Sequence, residues 1–157
     1  NAAFAARGLA AFGAAPRIRL LGNAACPRLP IFSFLIANAS GGFVHPQLAT
    51  RMLSDGFGIQ ARGGCACAGP YGHRLLEIDE ATSAAMRAAI LAGNEIDKPG
   101  FVRLNFSYLM SDAEVERIVA AVLALPGFID RYAHLYTYDA GNGVFLPVDE
   151  VQSASGF

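Results

Sequence analysis

The sequence predicts an α+β fold: a two-layer sandwich in which a small, mostly antiparallel sheet is covered by helices. Three observations carry this. Capped helical stretches are interspersed with short β-type runs, without the strict β-α-β succession of a parallel sheet. Near the end, two alternating segments flank Ala140-Gly141-Asn142-Gly143, the pattern of a β-hairpin. The 157 residues suffice for one domain with a real core, and no internal repeat is visible.

The elements follow in order. Residues 2–12 are alanine-rich and predict a helix ending near Gly13. A short strand over residues 18–21 follows Pro16. The apolar run Ile31-Phe32-Ser33-Phe34-Leu35-Ile36-Ala37 predicts a central strand, and residues 38–42 a turn. Pro46 suits the first position of a helix entered through His45; Leu48, Met52 and Leu53 form its apolar stripe, and Gly56 is its predicted stop. Ile59-Gln60-Ala61 predicts a short strand. Asp79 is placed to cap a helix over residues 80–92, halted by Gly93. Residues 101–106 predict a strand. Ser111-Asp112-Ala113-Glu114 is a capping box for a helix through Ala124, with Val115, Ile118, Val119 and Val122 inward. Pro126-Gly127 predicts its break, with a further short helix over residues 128–135. The hairpin spans residues 136–148, and residues 152–157 are expected to fray.

Composition narrows the function. Hydrophobic residues make up 54% and charged residues 16%. That balance suits either alanine-rich helices or a piece that buries surface against another body. A net charge of −1 and the absence of a basic patch argue against nucleic acid as a partner. No uninterrupted apolar run reaches the ~18 residues of a membrane span. The start, Asn1-Ala2-Ala3-Phe4, has neither an initiating Met nor a signal-peptide layout, as expected of an excised fragment. Three cysteines, two of them only two positions apart, suit a reducing, cytoplasmic setting.

The segment Arg62-Gly63-Gly64-Cys65-Ala66-Cys67-Ala68-Gly69-Pro70-Tyr71-Gly72 concentrates the chemistry. Its four glycines predict a loop suited to close backbone approach, not a helix or regular strand. A thiol there, near Arg62 and free backbone N–H groups, is placed like a nucleophile with a lowered pKa. The alternative is a buried turn in which both thiols are filler.

This segment resembles the cysteine-bearing loop in the small domain of class V aminotransferase-like enzymes, which include cysteine desulfurases, selenocysteine lyases and molybdenum cofactor sulfurases. The desulfurase pattern Arg-x-Gly-x-x-Cys-Ala-x-Pro falls on Arg62, Gly64, Cys67, Ala68 and Pro70. A second match, Lys98-Pro99-Gly100-Phe101-Val102-Arg103-Leu104-Asn105-Phe106-Ser107-Tyr108 leading into Ser111-Asp112-Ala113-Glu114, is similar to the family's arginine-bearing strand and last helix. Together they cover roughly residues 17–123. Cys65 and Ala66 depart from the family's usual polar pair, and Gly69 from a bulkier residue.

The resemblance implies that residues 1–157 form the C-terminal small domain of a pyridoxal phosphate-dependent, fold type I enzyme. Residues 1–13 would be the connecting helix, and the large cofactor-binding domain would be absent. It implies Cys67 as the catalytic thiol that receives sulfur as a persulfide, with Cys65 as the alternative. It implies Arg103 as the residue gripping the substrate carboxylate through two parallel hydrogen bonds, with Arg62 in support. The alternatives are an arginine on the solvent face of an edge strand for Arg103, and a loop brace for Arg62. Expected partners are the large domain of the same polypeptide, an amino-acid substrate and a second copy of the complete enzyme. The chain's single lysine, Lys98, sits in a turn, and no glycine-rich phosphate cradle opens a helix. Pyridoxal phosphate is therefore expected in the full-length enzyme, and none in this fragment. No metal is assigned: Cys65, Cys67 and His73 lack a fourth ligand of matching spacing, though Cys26 could come near in space. Tyr71 is a candidate for the mouth of the site, and Cys26 is expected to be structural. Two other functions stay open: a class V aminotransferase with inert cysteines, or a sulfur-carrying or metal-binding accessory module.

Overall fold

A computed structural model describes residues 2–64, 69–94, 96, 98–140 and 143–149. The elements run α1 (Ala2–Gly13), β1 (Ile18–Leu20), β2 (Ile31–Ile36), α2 (Pro46–Phe57), β3 (Arg62–Gly64), α3 (Gly69–Leu76), α4 (Glu80–Leu91), β4 (Phe101–Asn105), α5 (Asp112–Tyr132), a 3-10 turn (Ala133–Leu135), β5 (Tyr136–Asp139) and β6 (Val144–Pro147). The class is α+β, as the sequence predicts. β1, β2, β4 and β3 lie side by side in that order, antiparallel throughout, and β5 and β6 form a separate hairpin.

Alternation along the strands creates two unlike faces. Phe32, Phe34 and Ile36 of β2 and Val102 and Leu104 of β4 join Phe12 of α1, Met52 and Leu53 of α2, and Val115, Ile118, Val122, Leu125 and Ile129 of α5 in one core. Phe12 meets Phe32 edge-on, ring centres 5.2 Å apart and planes at 88°. The opposite face carries a smaller cluster, Leu21, Leu35 and Phe101, with Leu75 and Leu76 of α3 against it. The sheet is thus a helix-backed layer whose second face is only partly covered.

Caps form where the sequence places them. Asp79 accepts from Thr82 N–H at 2.7 Å. Ser111 and Glu114 complete a reciprocal capping box. His45 accepts from Gln47 N–H at 3.2 Å through Nδ1, so its Nε2–H donates to the Ile96 carbonyl at 3.1 Å.

Four expectations are corrected. Gly56 does not stop α2; Gly58 does, in a left-handed conformation, with its N–H turned to Leu53 and Ser54 carbonyls. Gly56 instead lets α5 approach: a side-chain carbon there would lie 2.6 Å from the tip of Phe128. The strand after α2 is Arg62–Gly64, not Ile59–Gln60–Ala61, because these residues pair with Arg103, Val102 and Phe101. The glycine-rich segment is not all loop, since its first three residues form β3 and Gly69 opens α3. Finally, Pro126 and Gly127 do not break α5, which continues to Tyr132. Tertiary packing outweighs the lost hydrogen bond. Leu125 is fully buried, Ile129 nearly so, and Phe128 stacks between Phe57 (5.1 Å) and Tyr132 (4.7 Å). By length and composition, residues Asp112–Leu135 pass as a membrane span. The inward row of Val115, Ile118, Val122, Leu125 and Ile129 is that of a core helix.

Candidate functional site

The site is built on the less covered face of the sheet. In antiparallel pairing, directly opposite residues share a face. Ser33 of β2 lies opposite Arg103 of β4, and Arg103 lies opposite Arg62 of β3. Ser33, Arg103 and Arg62 therefore form a row across the sheet, on the side away from the main core. β4 lies between β2 and β3, so Arg103 sits on an interior strand and not on the edge strand of the alternative reading. Its side chain is half-buried, flanked along β4 by core-facing Val102 and Leu104. Among the described residues, neither Arg103 nor Arg62 has a hydrogen-bond or ion-pair partner. Four other arginines meet carboxylates: Arg7 with Asp112 at 2.7 Å, Arg51 with Asp55 at 2.7 Å, Arg17 with Asp130, and Arg19 with Glu77. Two like charges directly opposite on adjacent strands are unfavourable by a few tenths of a kcal/mol to ~1 kcal/mol. An anion between them would relieve that.

Arg103 lines a cleft of about 620 Å³. Its floor is Ile31, Ser33, Phe101 and Arg103. One wall is the loop after β1, with Gly22, Asn23, Cys26 and Arg28; the other is α3, with Tyr71 and Leu75. Among the described residues no carboxylate lines it, and the formal charges of its lining are those of the two arginines. Arg28 Nη2 donates to the Asn23 carbonyl, while its Nε is buried without a partner among the described residues. Tyr71 remains 58% exposed at the rim. Arg62, on the edge strand β3, is exposed and outside the cleft lining.

β3 is positioned by close packing. A side-chain carbon on Gly63 would lie 2.5 Å from the Pro46 carbonyl oxygen, so the start of α2 rests directly on this strand. Cys67 and its alternative Cys65 lie outside the described residues, as do Ala66 and Ala68. Their two anchors are described: β3, paired to the strand of Arg103, and α3, which walls the cleft.

Three cleft residues escaped the sequence reading. Arg28 and Cys26 sit in an irregular loop between β1 and β2, where no periodicity assigns a face. Cys26, expected to be structural, is exposed and lines the cleft. Ser33 did carry a signal: it interrupts Ile31-Phe32-x-Phe34 on the face that alternation assigns to neither Phe32 nor Phe34.

The cleft lining holds no lysine, and Lys98, the chain's only one, is not part of it. These residues therefore do not fit pyridoxal phosphate as a Schiff-base cofactor. They fit the carboxylate of a ligand. No protein-family model matches the chain, and comparison with curated proteins finds no match.

Proposed function

We propose that this chain is the substrate-closing small domain of a pyridoxal phosphate-dependent class V enzyme, of the cysteine desulfurase or selenocysteine lyase kind, with the cofactor held by another part of the polypeptide in a reducing cytoplasm. The observation that carries the reading is Arg103: a half-buried guanidinium on an interior strand that, among the described residues, has no partner and lines a cleft free of carboxylates. A bidentate carboxylate is the ligand such a group is shaped to hold. The pairing of Arg62 with Arg103 adds support. It brings the strand that precedes Cys65 and Cys67 in the sequence beside the carboxylate anchor. In this reading Arg103 orients the amino acid, Cys67 accepts its sulfur, and Tyr71 stands at the mouth.

The test uses the complete polypeptide. It should show a bound-cofactor absorption band and, with a dithiol reductant supplied to reduce the persulfide, release sulfide or selenide from a cysteine-type substrate. Cys67→Ser should abolish the release, and Arg103→Ala should raise KM, by about 2–5 kcal/mol of lost substrate binding. No cofactor band overturns the reading. Undiminished release from Cys67→Ser gives the acceptor role to Cys65, whereas transamination without sulfide or selenide release moves the reading to an aminotransferase with bystander thiols.

A further inference from the structure

We infer that the cleft is built for a ligand with two anionic groups, Arg103 taking one and Arg28 the other. The inference rests on the reading of Arg103 as a carboxylate anchor and names the substrate class of that same site.

The two cations stand on opposite sides of β2. Leu21, at the end of β1, bonds its N–H to the Ser33 carbonyl at 2.8 Å. Gly22 and Asn23 follow directly, and the Asn23 carbonyl holds the Arg28 guanidinium. Arg28 Nη2 also comes within 3.9 Å of where a side-chain carbon of Gly22 would stand. The head of Arg28 is therefore fixed on the β1 side of Ser33. Arg103 springs from β4, on the other side of Ser33. β2 thus lies between the two anchoring points, the Asn23 carbonyl that holds Arg28 and the backbone of Arg103. Ile31 and Ser33 form the floor between them.

Anchoring on either side of β2 lets each arginine meet an anionic group of its own. The chemistry of Arg28 points the same way. Its Nε–H is buried and lacks an acceptor, although Nη2 is satisfied. A buried donor without a partner is costly, and an incoming carboxylate oxygen removes that cost while gaining a charge-assisted bond. Among the described residues no acidic side chain in the lining competes for either guanidinium, and Glu77, just past α3, is already paired with Arg19. Ile31, Leu21, Phe101 and Leu75 supply an apolar middle suited to a short carbon chain between two charged ends.

The probes are succinate, with two carboxylates, and propionate, with one, titrated into the purified chain by calorimetry or by NMR shifts. Succinate should bind at least about tenfold more tightly, or about 1.4 kcal/mol. Arg28→Gln should bring succinate down to the propionate level and leave propionate unchanged; Arg28→Lys should keep part of the preference. Arg103→Gln should weaken both. Circular dichroism of each variant checks the fold. Succinate should also slow alkylation of Cys26 by iodoacetamide, since the thiol lines the same cleft. Equal affinity for the two probes, no binding of either, or an Arg28→Gln variant that retains the preference overturns the two-anion inference. Equal loss of both probes in Arg28→Gln also overturns it, as the mark of one anion shared by two arginines. Unchanged propionate binding in Arg103→Gln instead sinks the carboxylate-anchor reading itself.

Discussion

Gly63→Ala is the sharpest test of how the site is held in place. Gly63 pairs with Val102 in the strand that precedes the two thiols. An added methyl would lie 2.5 Å from the Pro46 carbonyl oxygen, 2.8 Å from the Pro46 carbonyl carbon and 2.8 Å from Thr50 Oγ1. The Thr50 hydroxyl can rotate away; the carbonyl belongs to the first turn of α2, anchored by fully buried Met52 and Leu53. Relief must come from moving β3. Overpacking of this kind costs ~1–3 kcal/mol, and the reduced freedom of the unfolded chain returns ~0.4–1 kcal/mol, so the midpoints leave a net loss of roughly 1.3 kcal/mol and the extremes at most about 2.6 kcal/mol. For a chain of this size the midpoint loss lowers Tm by roughly 3–5 °C. Gly72→Ala is the control. It sits inside α3 with nothing within 4 Å of the added carbon, so it should stabilise by ~0.5–1 kcal/mol. Thermal melts followed by circular dichroism should rank Gly72→Ala above the parent chain and Gly63→Ala below it. A Gly63→Ala variant melting at or above the parent temperature would refute the claim that α2 clamps β3.

Three further outcomes are expected. Phe34→Ala should cost ~3–5 kcal/mol in a denaturant titration, because the ring is fully buried where α1 meets the sheet; a loss under ~1 kcal/mol would mean the site collapses freely. The Asp130 carboxyl is held below the ordinary carboxylate range, first by its hydrogen bond from Arg17 and then by that residue's charge. Its stabilisation is complete above the unfolded pKa of ~3.9 and fades as pH falls through the lower folded value. Asp130→Asn should lower Tm at pH 7 yet flatten the decline of Tm with acid below about pH 4, and parallel Tm–pH curves would show the pair contributes nothing. Cys67 should be alkylated faster at pH 7 in the folded chain than in the unfolded one, mapped by mass spectrometry. The unfolded chain is the proper reference because Cys26 is itself exposed in the cleft. An equal or slower rate rules out activation within this domain.

What was legible in the sequence follows from the range of the forces involved. Caps are local, so Asp79, Ser111-Glu114 and the entry through His45-Pro46 were readable from a few adjacent residues. Period-two alternation and apolar runs placed β2, β4 and the hairpin. The failures came where distant atoms decide. Gly56 reads as a stop until Phe128 is seen packed on it, and Pro126 reads as a break until Phe57, Phe128 and Tyr132 are seen stacked across it. Arg103 is singled out by the family resemblance of the segment that carries it. Arg28 is not, because its role depends on a loop returning over Ser33, and nothing local in Asn23-Ala24-Ala25-Cys26-Pro27-Arg28 announces that return.

The unlike faces of the sheet explain why these arginines differ from the paired ones at the surface. Arg7, Arg17, Arg19 and Arg51 each meet a carboxylate in partly exposed positions, where ion pairs contribute little and water competes. Arg103 and Arg28 lie instead among Leu21, Ile31, Leu75 and Phe101, on a floor whose other side is the main core. An apolar surround strengthens each hydrogen bond a guanidinium makes and raises the cost of each one it lacks. A cation left there without a protein partner biases the cleft toward an anion, whereas the same residue in open solvent would not. Leu75 of α3 contributes to that surround, and α3 begins directly after the thiol segment. Trimming Leu75 should weaken anion binding even though it removes no charge.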